Sequence, residues 1–223
     1  MTGQQDDAVA GPARRGLLRP VLLAVIAVAL VLAGGGLAVA LGIGRTDTPT
    51  SESVDAGFSR DMSRHHLQGV EMANLALTRS QDVEVRQLAF DISATQTNQA
   101  GRMQGWLSLW GLSQNGGETM AWMTGSGHSG HSMDADDPMP GMATEDELAE
   151  LRSLTGTAFD VEFLQLMTRH HQGGLEMALD AAENAMEPAV RQLARSIAES
   201  QSAETTTMTD MLRARGGSPL PAP

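Results

Sequence analysis

Two stretches of this chain carry the same set of side chains able to hold a metal ion. The first is Asp55, Met62, His65, His66 and Met72; the second is Asp160, Met167, His170, His171 and Met177. Imidazole suits copper, zinc, iron and nickel, and thioether suits Cu(I). Met62 precedes His65 by three residues and His66 by four, the spacings that make neighbours on a helix surface. At about 100° per residue, Asp55 and His66 fall within about 40° of Met62, with His65 and Met72 at about −60° and −80°. Phe58, Gly69, Ala73 and Ala76 share that sector, while Arg64 and Glu71 point away. Histidine and aspartate on such a face are costly to bury without partners. Metal ligation is the expected explanation, with copper, as Cu(I) or Cu(II), ahead of other transition metals. A hydrogen-bonded polar core, with Met as filler, is the plainer alternative. Adjacent histidines diverge by about 100° on a helix, so the two of a pair can serve different partners.

A second candidate lies between the two stretches. His128 and His131 stand there with Met133, Met139 and Met142, after Met120 and Met123. Flexible Met/His tracts can wrap soft ions; the alternative is a Met-rich spacer. Trp106 and Trp110 read as packing residues. Gln96 and Gln201 are placed to hydrogen-bond the histidines.

The elements that must position these groups come in two copies. A shift of 105 residues aligns 55–111 with 160–216 without a gap and gives 21 identities in 57 positions. Each copy reads as a helical hairpin. The spacing predicts helices from about Val54 to Thr78 and on to Trp110, then from Phe159 to Asn184 and on to Arg215. Polar breaks fall at Arg79–Asp82 and at Glu187-Pro188. Gly111 and Gly216 stand where left-handed caps prefer glycine, and Pro188 suits a first helical turn. Two such hairpins pack most economically as a four-helix bundle. The expected class is all-α: a four-helix bundle of two duplicated hairpins, plus one N-terminal transmembrane helix.

The domain plan follows: a tail over 1–16, an apolar segment over 17–43, a polar linker over 44–53, and the first hairpin over 54–111. A Gly-, Ser-, Met- and His-rich linker (112–144) comes next and is expected to be irregular. A short helix and connection (145–158), opened by a capping box at Thr144, the second hairpin (159–216) and a tail (217–223) complete the chain.

Composition narrows the chemistry. The chain has 223 residues, no Cys, 3% aromatics and a net charge of −12. Thiolate sites, disulfides and Cys nucleophiles are excluded. All basic residues are Arg. Acidity argues against nucleic acid as a partner, because phosphate binding needs basic patches. From Pro20 to Ile43 there is no charge, enough residues to span about 30 Å of hydrocarbon. Arg14, Arg15 and Arg19 precede that run, so the positive-inside rule puts the N-terminus in the cytoplasm and residues 45–223 outside, with the lipid bilayer as partner. The alternative is a signal segment cleaved near Ala40, since Ala38-Val39-Ala40 fits the cleavage pattern.

The repeated motif resembles the family called domain of unknown function 305. Its pattern, D-x-x-F-x-x-x-M-x-x-H-H-x-x-[AG]-x-x-M-A, is met by Asp55, Phe58, Met62, His65, His66, Gly69, Met72 and Ala73. It is met again by Asp160, Phe163, Met167, His170, His171, Gly174, Met177 and Ala178. Met139-Pro140-Gly141-Met142 is similar to the family as well. The resemblance implies an exported helical bundle related to ferritin-like folds, with copper binding or copper tolerance in some relatives. A di-iron oxidase is a remote alternative, because the Glu-x-x-His motif of such sites is absent. The expected function is membrane-tethered, extracytoplasmic metal binding, as in copper buffering, chaperoning or tolerance, without turnover. No catalytic residue and no protein partner is assigned. The rival class is an envelope scaffold or interaction module. If the two first helices pack side by side, His65, His66, His170 and His171 converge within about 10 Å on one interior site. If they sit at opposite corners, two sites form, each completed by Gln96, Met103 or their copies. Convergence is the favoured arrangement, because polar faces lose less by sharing one desolvated pocket.

Overall fold

The computed structural model describes residues 15–44, 48–125 and 139–221. Two compact units divide the chain at Asp47 and Thr48. The first holds helix α1 (Arg15–Ala40). Its stretch Leu18–Ala40 has 23 residues and is long and apolar enough to cross a membrane. At 1.5 Å per residue that is about 34 Å, which matches a hydrocarbon core. A signal segment meets the same test.

The second unit is helical, with no strand among the described residues. It contains α2 (Val54–Arg79), α3 (Val83–Leu109), a 3-10 turn (Ala121–Gly125), α4 (Glu145–Ser153), α5 (Gly156–Asn184) and α6 (Pro188–Ala214). Local chemistry explains most boundaries. The Ser53 hydroxyl accepts from Ala56 N, and the Asp82 carboxylate from Glu84 N and Val85 N, so α2 and α3 start on side-chain caps. Thr144 and Glu147 form the expected capping box. Gly111 and Gly216 follow α3 and α6 with φ of 70° and 74°, the left-handed region where a Cβ is penalised. One start departs from expectation: α5 begins at Gly156, three residues before Phe159, and has no side-chain cap bond.

The long helices make two antiparallel hairpins, α2–α3 and α5–α6. The hairpins join chiefly through α2 and α5, which also run antiparallel. The carboxylate of Asp55, at the start of α2, accepts from Met186 N at 3.1 Å and Glu187 N at 2.8 Å, just after α5. Arg215, following α6, pairs with Asp82 at the start of α3.

Two apolar cores fill the bundle, one towards each end. The first joins Phe58 and Met62 of α2, Met103 of α3, Met177 of α5 and Val190 to Ala198 of α6. The second joins Met72 and Ala76, Val85 to Ile92, Phe163 and Met167, and Met208 and Leu212. All four helices therefore pass from one core to the other, and each carries polar residues at the crossing. These are His65 and His66, Gln96 and Gln99, His170 and His171, and Gln201, all buried, with Glu204 beside them. The histidine motif is a polar layer between two greasy ones.

The linker is less loose than its composition suggests. Trp122 is buried, packs edge to face on Phe58 at 5.8 Å, and donates from Nε1 to Asp61 at 2.9 Å. A Cβ at Gly57 would collide with that indole. The second limb, Met139 to Ala143, crosses the histidine layer. Ala143 exchanges two hydrogen bonds with the Gln68 amide at 2.7 and 2.9 Å. A Cβ at Gly173 would run into the Pro140 carbonyl, so only glycine lets this strap lie on α5.

Candidate functional site

The polar layer is built twice over by the repeat. His65 and His170 meet at its centre, their rings 3.8 Å apart between centroids and 30° from parallel. Gly69 and Gly174 allow that approach. A Cβ on Gly69 would lie 3.0 Å from His170 Cε1, and one on Gly174 3.1 Å from His65 Cε1. Both central rings are tied to backbone. His65 Nε2–H donates to Pro140 O at 3.1 Å, and His170 Nε2–H donates to His65 O at 2.9 Å. With the proton on Nε2, each Nδ1 keeps a lone pair, and neither Nδ1 has a hydrogen-bond partner.

The outer histidines face the second helix of their own hairpin. His171 Nε2 lies 2.6 Å from Glu204 Oε2. Gln99 holds the corresponding place beside His66 and is near enough to act on its proton affinity. It makes no hydrogen bond of ordinary geometry, so both ring nitrogens of His66 are unpartnered in a fully buried site. Burial dominates the electrostatics. It lowers the pKa of His65 to about 4 and of His66 to about 3, and pushes His170 well below the usual histidine range. Repulsion from neighbouring imidazoles adds to the effect on His66 and His170. The Pro140 carbonyl opposes it at His65 by stabilising the N–H. Near neutral pH these three rings are uncharged, the form that ligates metal.

The structure corrects several sequence expectations. Asp55 does not join the histidines. It caps the α5–α6 turn and lies ten residues before His65, about 15 Å along the helix. Asp160 is likewise ten residues before His170, buried near the start of α5. The four histidines do gather in one buried layer, with ring centroids 6.4 and 6.2 Å apart within the two pairs, but as two outer rings flanking a stacked central pair and not around one ion. The central rings touch, which leaves no space for an ion between their faces. Among the described residues no three His, Asp or Glu side chains gather as a metal-holding group. Thioether and amide side chains are the further donors to consider. Gln96 and Gln201 make no hydrogen bond to histidine; their amides pack on Gly69 and Gly174.

The methionines sort by core rather than by helix. Met62, Met103 and Met177 share one, and Met167, Met208 and Met72 the other. Each trio takes two members from one repeat and one from the other, because α2 and α5 are antiparallel. Met139 is buried in the first core and Met142 packs against it. His128, His131 and Met133 lie outside the described residues. Met103 and its copy Met208 were expected only as residues completing two separate sites, and the Gln99/Glu204 pair was not expected beside the histidines at all. Their signal was a face of the second helix, i and i+4, opposite the histidines.

Residues 55–212 match the family described as Domain of unknown function (DUF305). The chain belongs to the DUF305 family. A candidate secreted DUF305 protein from Streptomyces coelicolor has 44% identity and a TM-score of 0.70, over 77% of this chain and 99% of that one. A DUF305 fragment from Deinococcus radiodurans has 33% identity and a TM-score of 0.61, over 75% and 99%. CopM, solved in a Cu(II)-bound form, has 28% identity and a TM-score of 0.57, over 73% and 97%. Its Cu(I)-bound form gives 26% and 0.55, over 73% and 98%. No curated protein matches the chain. These likenesses fit the DUF305 chain's all-helical bundle.

Proposed function

We propose that this DUF305 protein holds copper at the outer face of a membrane, anchored by Leu18–Ala40 and without catalytic turnover. The observation that carries the reading is His66. It is fully buried, both ring nitrogens lack a protein partner, and buried Met62 lies one turn before it. An unsatisfied buried polar group costs about 1–3 kcal/mol, and a soft ion bound there recovers it. The donor set fits Cu(I), since imidazole and thioether are both available and thiolate is not. The ligands of the first site are His66, Met62 and Met103, with Met177 in the same cluster. Those of the second are His171, Met167 and Met208, with Met72. His65 and His170 position the helices through their backbone bonds. The tract with His128, His131 and Met133 is a weaker site for the same ions. CopM, solved with Cu(I) and Cu(II), supports the choice of metal.

The test is anaerobic Cu(I) titration of the full chain in detergent against a chromophoric chelator. The double change His66→Gln and His171→Gln should weaken binding at least about tenfold, or about 1.4 kcal/mol. Binding no tighter than micromolar in the unmodified chain, or no loss in the double variant, would make the polar layer structural and the reading wrong.

A further inference from the structure

The two halves of the polar layer are related by the repeat but differ in charge. His171 faces the Glu204 carboxylate at 2.6 Å. Its counterpart His66 faces the Gln99 amide, which carries no charge. Three residues on, the difference is reinforced: Arg102 follows Gln99, and Thr207 follows Glu204. Gln99 and Arg102 line one open groove between α3 and α6, together with Leu193 and Ser196. The first half is thus neutral, and the exposed Arg102, whose guanidinium lies 5.5 Å from the centre of the Trp106 ring, lines the groove outside it. The second half contains a carboxylate, with no cation at the matching place.

Charge balance decides what a desolvated site holds. A monovalent ion among neutral donors leaves one net positive charge buried, and a divalent ion leaves two, which is far costlier. A carboxylate beside the ligating histidine removes one of those charges, which shifts preference from Cu(I) towards divalent ions. Histidine hydrogen-bonded to carboxylate is also the usual arrangement behind a metal-bound imidazole, because the carboxylate fixes the tautomer and raises ring basicity.

We propose that Glu204 sets the ion selectivity of the second half, so that the His171–Glu204 half takes a divalent cation such as Cu(II) while the His66–Gln99 half is restricted to Cu(I). This rests on the reading that the layer binds copper at all. One protein would then hold both oxidation states, each at its own repeat.

Two near-isosteric exchanges test it, each introducing the residue found at the other repeat: Glu204→Gln and Gln99→Glu. The full chain in detergent is titrated with Cu(II), followed by electron paramagnetic resonance, and separately with Cu(I) by chelator competition. In E204Q, Cu(II) affinity should fall about tenfold or more while Cu(I) affinity stays within about threefold. In Q99E a second Cu(II) signal should appear. Equal weakening of both ions in E204Q, or no change in either, would overturn the assignment. If E204Q fails to fold by circular dichroism, the presence or absence of the second signal in Q99E decides. An unmodified chain that takes up no copper defeats the underlying reading as well. An unmodified chain that binds copper without this discrimination defeats only the role of Glu204.

Discussion

His65 and His66 are neighbours in sequence and do different work. One is held by a backbone carbonyl and stacks on its repeat partner; the other is left with two bare nitrogens. The roughly 100° between adjacent helix positions is the cause, since it aims one ring across to α5 and the other at α3. Both are buried and neutral, which makes the metal-free protein sensitive to acid. The unfolded histidine titrates near 6.5, whereas His65 and His66 are held at about 4 and about 3. Below pH 6.5 the unfolded chain takes up protons that the folded chain refuses. Stability is therefore fully present above about pH 6.5 and is lost as pH falls towards 4, at up to about 1.4 kcal/mol per pH unit for each such histidine. Urea unfolding of the metal-free full chain between pH 7 and 5 should show this slope. The double change His65→Gln and His66→Gln should reduce it to the share left by His170, whatever it does to stability at pH 7.

At the scale of elements, the antiparallel packing of α2 on α5 organises the molecule. It puts Asp55 at the turn before α6, where its carboxylate receives two backbone N–H groups. That is a capping role, favoured by the positive end of the helix dipole. Asp55→Ala should therefore lower stability by about 0.5–2 kcal/mol and leave copper affinity unchanged. Chemical denaturation and Cu(I) competition on the same sample check both halves; a large loss of affinity with little loss of stability would restore Asp55 as a ligand. Caps made by side chains or by left-handed glycine were legible, as at Thr144, Gly111 and Gly216. The start of α5 was not, because no side chain caps it and Gly156 there has a φ of 61°.

On the scale of the whole molecule, a helical bundle follows in sequence an apolar helix that arginines precede. The topology proposed here is checked by a C-terminal tag: it should be open to protease in intact spheroplasts, and the protein should stay with the membrane fraction. Soluble tagged protein lacking its first 40 or so residues would favour cleavage near Ala40, where the signal pattern lies. The sequence by itself determined the helical class, the duplication and the face that carries Met62, His65 and His66. Periodicity within a helix is a local property, and a gapless repeat needs no coordinates to be seen. Tertiary structure alone decided which of those side chains meet. Asp55 and Met62 share a helix face with His66, yet a face is 26 residues long in α2, and its two ends lie in different layers. Only the crossing of α2 on α5 shows that Asp55 reaches a turn, that Met62 joins Met177, and that His65 touches His170. Such contacts are set by the direction and height at which two helices pack, and the pattern along either one does not encode them.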